Sequence, residues 1–153
     1  MSAIKYRELP RKNYEQDFLP FISNYNYNIR DKRITIGIDC VNVPGMLIGP
    51  ETTSAIEKVK FPKLIGRIVF FSNRGKNEVK ELSRHLRNVI SHPENIKTAE
   101  INGKVYCRLL DIDKSSKKAT MKGLIPLDEV KILINEIIRN TNSYGTQSIK
   151  QGN

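Results

Sequence analysis

Arg87, Asn88 and His92 are the residues of this sequence best suited to chemistry. Arginine brings a permanent positive charge and a fork of donors matched to phosphate oxygens. Histidine exchanges a proton near neutral pH. Asn88 is placed one helical turn before His92 on the same face, where it can orient the ring or hold the same phosphate. Such a set suits phosphodiester chemistry without a metal. The arginine neutralises charge on a phosphorane-like transition state while the histidine shuttles protons. Arg84 and Ser91 are read as substrate contacts around this core. His85, two turns before His92 and nearly eclipsing it, reads as a surface histidine able to share the site.

A helix must position these groups. Asn77 is a suitable N-cap, Glu78 and Glu81 fall in the positive first turn, and Pro93 stops the element. At roughly 100° per residue, Val79, Leu82, Leu86, Val89 and Ile90 form one apolar arc about 100° wide. Arg84, His85, Arg87, Asn88, Ser91 and His92 fall on the opposite side. Half of the helix is therefore core, and the other half is dense in groups that bind phosphate. Pro93-Glu94 follows and adds a carboxylate beside the site.

The remaining elements are unevenly legible. Phe18, Phe21, Ile22 and Tyr25 suggest an amphipathic helix over 13–28, with Pro20 interrupting it. Ile34 to Ile38 alternates as a strand would, yet Ile34, Ile38 and Val41 also share a helical face, so periodicity does not decide there. ETTSAIEKV reads as a short helix capped by Thr or Ser and broken at Phe61-Pro62, with a buried KLIGRIVFF segment after it. Val105, Cys107 and Leu109 alternate, Asp113 to Lys118 turns, and KATMKGLI returns, which predicts a hairpin. A last helix is expected from Leu127 to Arg139, with Val130, Leu133, Ile134, Ile137 and Ile138 on one face.

Charge names a class of partner. The chain has 153 residues and a formal net charge of +10, which biases one small domain toward polyanions such as RNA, DNA or an acidic protein. Hydrophobic residues at 39% argue against a disordered tail, and no apolar run approaches the ~20 residues of a membrane helix. No apolar signal-peptide core follows Met1, so a cytoplasmic location is expected. Cys40 and Cys107 lack metal-ligand spacing and read as buried free thiols. No Gly-rich phosphate loop or nucleotide fingerprint is present.

The segment HLRNVISH resembles the signature of HEPN domains, the small helical proteins of toxin–antitoxin, abortive-infection and CRISPR-associated RNases. That signature is an arginine, a polar residue, three variable residues and a histidine; Arg87, Asn88 and His92 match it position by position. The resemblance covers residues 72–139. It implies a mainly α fold: a HEPN-like helical bundle with a small β-hairpin between the motif helix and the C-terminal helix. Residues 1–140 would be one such domain and 141–153 a disordered polar tail. It also implies a cofactor-free, metal-independent endoribonuclease of bacterial defence or toxin–antitoxin type. In such enzymes the 2′-hydroxyl of RNA attacks the adjacent phosphate, leaving a cyclic phosphate and a 5′-hydroxyl. His92 would then be the general acid or base, Arg87 the phosphate clamp and Asn88 the orienting group. The motifs of two protomers would face each other in a homodimer, with an antitoxin or regulatory protein holding the enzyme in check. A different reading of the same charge is a non-catalytic basic module, phage- or plasmid-encoded, that binds nucleic acid or an acidic protein. A third is a subunit whose exposed helix faces are buried by another chain.

Overall fold

The computed structural model describes residues 4–20, 49–65, 67–72, 78–137 and 139. Among these, six strands join in one sheet: β1 (Arg7–Glu8), β2 (Gly49–Pro50), β3 (Arg67–Phe71), β4 (Lys97–Ile101), β5 (Lys104–Ile112) and β6 (Ala119–Pro126). Their spatial order is β1-β4-β5-β6-β3-β2. The four inner strands are antiparallel throughout, and only the two-residue β2 runs parallel to its neighbour β3. The helical elements are α1 (Arg11–Asn13), which runs on through a π-turn at Tyr14–Phe18, α2 (Thr53–Lys58), α3 (Glu78–Ile90) and α4 over 127–137.

This corrects the expected helical bundle. The fold is built on an antiparallel sheet, and the hairpin foreseen after the motif helix is only its centre. The reason lies in backbone hydrogen bonding. A lone hairpin has two open edges and is marginal in water. Here β6 pairs with β5 along one side and with β3 along the other, while β4 covers the first half of β5. The turn from β4 to β5 is made by Asn102 and Gly103, both at positive φ (52° and 79°), as a two-residue hairpin turn requires. The longer β5–β6 turn uses the Asp113 carboxylate, which accepts from the Ser115 and Ser116 hydroxyls and the Ser116 N–H.

One hydrophobic cluster binds the helices to a face of the sheet. Val79, Leu82, Leu86, Val89 and Ile90 of α3 meet Cys107 and Leu109 of β5, Met121 and Ile125 of β6, and Val130, Leu133, Ile134 and Ile137 of α4. Each such aliphatic side chain contributes roughly 1.5–3 kcal/mol through burial. The N-terminal segment closes one end: Leu9, Tyr14 and Phe18 enter the cluster, and Asp17 pairs with Lys131 of α4 at 2.9 Å. On the other face, α2 is capped by the Thr52 hydroxyl, which accepts from Ala55 N–H, as the Thr/Ser cap predicted. Lys122 of β6 donates there to the Glu57 and Val59 carbonyls. Helix α3 ends at Ile90, short of the predicted stop, and a 3-10 turn at Pro93–Asn95 leads into β4. Asn77, the Ile34–Ile38 segment, residues 21–28, Cys40 and the 141–153 tail lie outside the described residues.

Candidate functional site

The polar face of α3 and the turn after it form one wall of a cleft of about 600 Å³. β5 supplies the facing side. Its pairing with β4 stops at Lys97↔Arg108, so the edge of β5 beyond Arg108 carries no partner strand among the described residues. The C-terminal end of α3 stands over that gap. Arg84, Arg87, Asn88, Ser91 and His92 all line the cleft, together with Arg108, Asp111 and Lys114. The structure thus brings five of the six sequence-identified residues to one surface.

Their individual settings differ. Arg87 has no carboxylate within ion-pair distance among the described residues, and its half-buried guanidinium remains an uncompensated cation on the cleft wall. Arg84 is partly neutralised by Glu81 at 2.9 Å. Ser91 donates its hydroxyl hydrogen at 2.6 Å to the Arg87 carbonyl, which also accepts the Ser91 N–H at 3.0 Å, so only the hydroxyl's lone pairs face a ligand. His92 has left the helix: its backbone is extended, at φ −126° and ψ 115°. Its ring stands 62% exposed with Nδ1 3.6 Å from a Glu94 carboxylate oxygen, which leaves Nε2 as the nitrogen not facing Glu94. Tyr14 holds this turn in place by donating to the Ser91 carbonyl at 3.2 Å. Burial, and then the Glu94 charge, keep the Tyr14 hydroxyl above its ordinary pKa, so it stays a donor.

His85 does not sit where its position on the wheel predicted. It is fully buried, beneath the cleft and not on its surface. Nδ1 lies 2.7 Å from Asp111 Oδ2 and Nε2 lies 2.9 Å from the Ser72 carbonyl oxygen. Each ring nitrogen thus faces an oxygen acceptor. Asp111 Oδ2 also accepts from Asn88 Nδ2 at 3.3 Å, and the Asp111 carbonyl accepts from Thr120 Oγ1 at 3.2 Å. The result is a polar stitch between α3, the end of β3, β5 and β6, in which Ser72, Asn88, Asp111 and Thr120 also line the cleft while His85 lies beneath them. Asn88 is therefore oriented by Asp111, and its amide is not hydrogen-bonded to His92.

Sequence reasoning missed Asp111 and Arg108. Asp111 has the same parity along β5 as Cys107 and Leu109, which are buried. A carboxylate at a core-facing strand position needs a hydrogen-bonding partner, and that parity was the available signal. No group of three or more His, Cys, Asp or Glu side chains able to hold a metal occurs among the described residues. No helix among them is long and apolar enough to cross a membrane.

No family model, curated protein or solved structure matches the chain. The cleft's own chemistry has to carry the functional reading.

Proposed function

We propose that the protein is a metal-independent endoribonuclease of the defence or toxin–antitoxin kind, acting on RNA in the cleft beside α3. The observation that carries this reading is the meeting, in one cleft of a +10 chain, of an exposed histidine and an arginine with no ion-pair partner among the described residues. Arg87 holds the scissile phosphate and takes up charge as the phosphorus becomes five-coordinate. His92 accepts the 2′-hydroxyl proton, the 2′-oxygen bonds to phosphorus, and the P–O5′ bond breaks. The leaving 5′-oxygen needs a proton in turn. Each chain has two histidines, and His85 is buried, so one histidine per chain is exposed in the cleft. A second copy facing the first supplies the other proton-transfer group from its own His92, which makes the active form a homodimer. Asn88, held by Asp111, orients the phosphate, while Arg84 and Ser91 contact the neighbouring backbone.

Purified protein incubated with RNA in EDTA tests this. His92→Ala and Arg87→Ala should each abolish cleavage while the protein stays folded and dimeric. RNA left intact by the wild type under all conditions ends the enzyme reading. Glu94 beside His92 favours one other reading, a basic module that binds nucleic acid or an acidic protein without turnover. There His92→Ala is nearly silent, and affinity falls in small steps as surface Lys and Arg are removed.

A further inference from the structure

Arg108 lies in the same cleft, across the open edge of β5 from Arg87 and His92. Its neighbours Cys107 and Leu109 point to the helix-covered face, so by strand alternation Arg108 points to the other. Its guanidinium is held over two aromatic rings, 5.0 Å from the centroid of Tyr6 and 5.6 Å from that of Phe61. Those rings meet each other edge to face at 6.3 Å. Nε is buried and has no hydrogen-bond partner among the described residues. No carboxylate among the described residues forms an ion pair with it, whereas Arg84, Arg11 and Arg139 all have one.

A half-buried cation with no anion is costly, and aromatic faces offset only part of that cost. The rings do something more specific. They adjoin the guanidinium from two neighbouring directions and hold it in place, which leaves its N–H groups on the cleft side as its means of binding. A planar fork with fixed orientation matches the oxygens of a phosphate diester. We propose that Arg108, clamped by Tyr6 and Phe61, is a second phosphate subsite that takes a backbone phosphate neighbouring the one held at Arg87. The nucleic acid strand then crosses the open edge of β5, from the α3 side of the sheet to the Tyr6 side. This assignment rests on reading the cleft as a nucleic-acid site, but not on cleavage taking place there.

Two labelled DNA strands separate the possibilities, because DNA lacks the 2′-hydroxyl and is bound without being cut. A dinucleotide has one internal phosphate and fills only the Arg87 position; a hexanucleotide reaches both. Arg108→Gln should weaken hexanucleotide binding about tenfold and lower its salt slope by about one, while dinucleotide affinity stays within about twofold. Arg108→Lys keeps the charge but loses the stacked fork, and should recover only part of the loss. Circular dichroism of both variants should match the wild type. The subsite is refuted if Arg108→Gln leaves hexanucleotide binding unchanged, weakens both strands equally, or if the wild type binds neither strand. Cleavage of RNA by the wild type is scored separately. Strands bound with the predicted length dependence, beside RNA left intact, keep the subsite and remove only the nuclease.

Discussion

Two histidines seven positions apart, one inside α3 and one just beyond its end, have been placed in opposite environments. His85 is sealed under the cleft, with a carboxylate on one nitrogen and a carbonyl on the other. His92 stands in solvent on the cleft rim with a single loose contact to Glu94. Both were legible as proton carriers by residue type alone. What separates them is access: a group whose two nitrogens are both occupied stabilises the fold, and a group with one nitrogen not so occupied can do chemistry. The same division runs through the arginines, since Arg84 is paired with Glu81 while Arg87 has no ion-pair partner among the described residues.

The contrast can be broken by exchanging the effects. His92→Ala is expected to abolish detectable RNA cleavage, a loss of at least about 10²-fold for a missing general acid or base, with the urea midpoint unchanged. His85→Ala should do the reverse at the level of the fold. It leaves the Asp111 carboxylate without its 2.7 Å partner, and removing one member of a buried pair costs about 3 kcal/mol, read as a lower urea midpoint. If His85→Ala unfolds at the wild-type midpoint, the stitch is not structural.

The interior side of the comparison has its own probe. Cys107 is buried under the same helix, and burial pushes its thiol up to about 12. In a Cys40→Ser background it should resist a thiol reagent at pH 8 until the chain is denatured. An unfolded thiol ionises at its ordinary value and the folded one does not. Above that value the unfolded state therefore binds fewer protons, and stability should fall between about pH 9 and 12 by up to roughly 1.4 kcal/mol per unit. Cys107→Ala should make that slope shallower, leaving the share due to the Tyr6 and Tyr14 hydroxyls, which burial also raises. The smallest effect is expected at the rim, where Glu94→Gln removes a solvent-exposed carboxylate. RNA binding should tighten by no more than about threefold, as surface charges are worth little.

Helix α3 was readable because five aliphatic residues recur at three- and four-residue spacing over thirteen positions, enough to exclude a strand. The β5–β6 hairpin and the Thr52 cap were readable for similar local reasons. β3 was not, because RIVFF is a short apolar run whose identity depends on pairing with β6, a contact 50 to 57 residues away in sequence. β4, KTAEI, is short and mostly polar; its one clear sign is the Asn102-Gly103 turn that follows it. Without those two strands nothing in the pattern opposed the helical bundle that the HEPN resemblance implied. His85 was misplaced for a different reason. It lies about 40° beyond the edge of the apolar arc on the wheel, and hydropathy put it with the polar face. The residue that draws it inward, Asp111, is 26 positions away on a strand, and hydrophobic periodicity gives no weight to a buried polar pair.

The chemistry at the ends of a cut RNA tests the central claim most directly. Wild-type protein in EDTA should yield a 2′,3′-cyclic phosphate on one fragment and a 5′-hydroxyl on the other, with no cut at a position whose 2′-hydroxyl has been removed. His92→Ala should yield neither product. A 5′-phosphate beside a free 3′-hydroxyl, or wild-type protein that binds RNA and leaves it whole, would contradict the account.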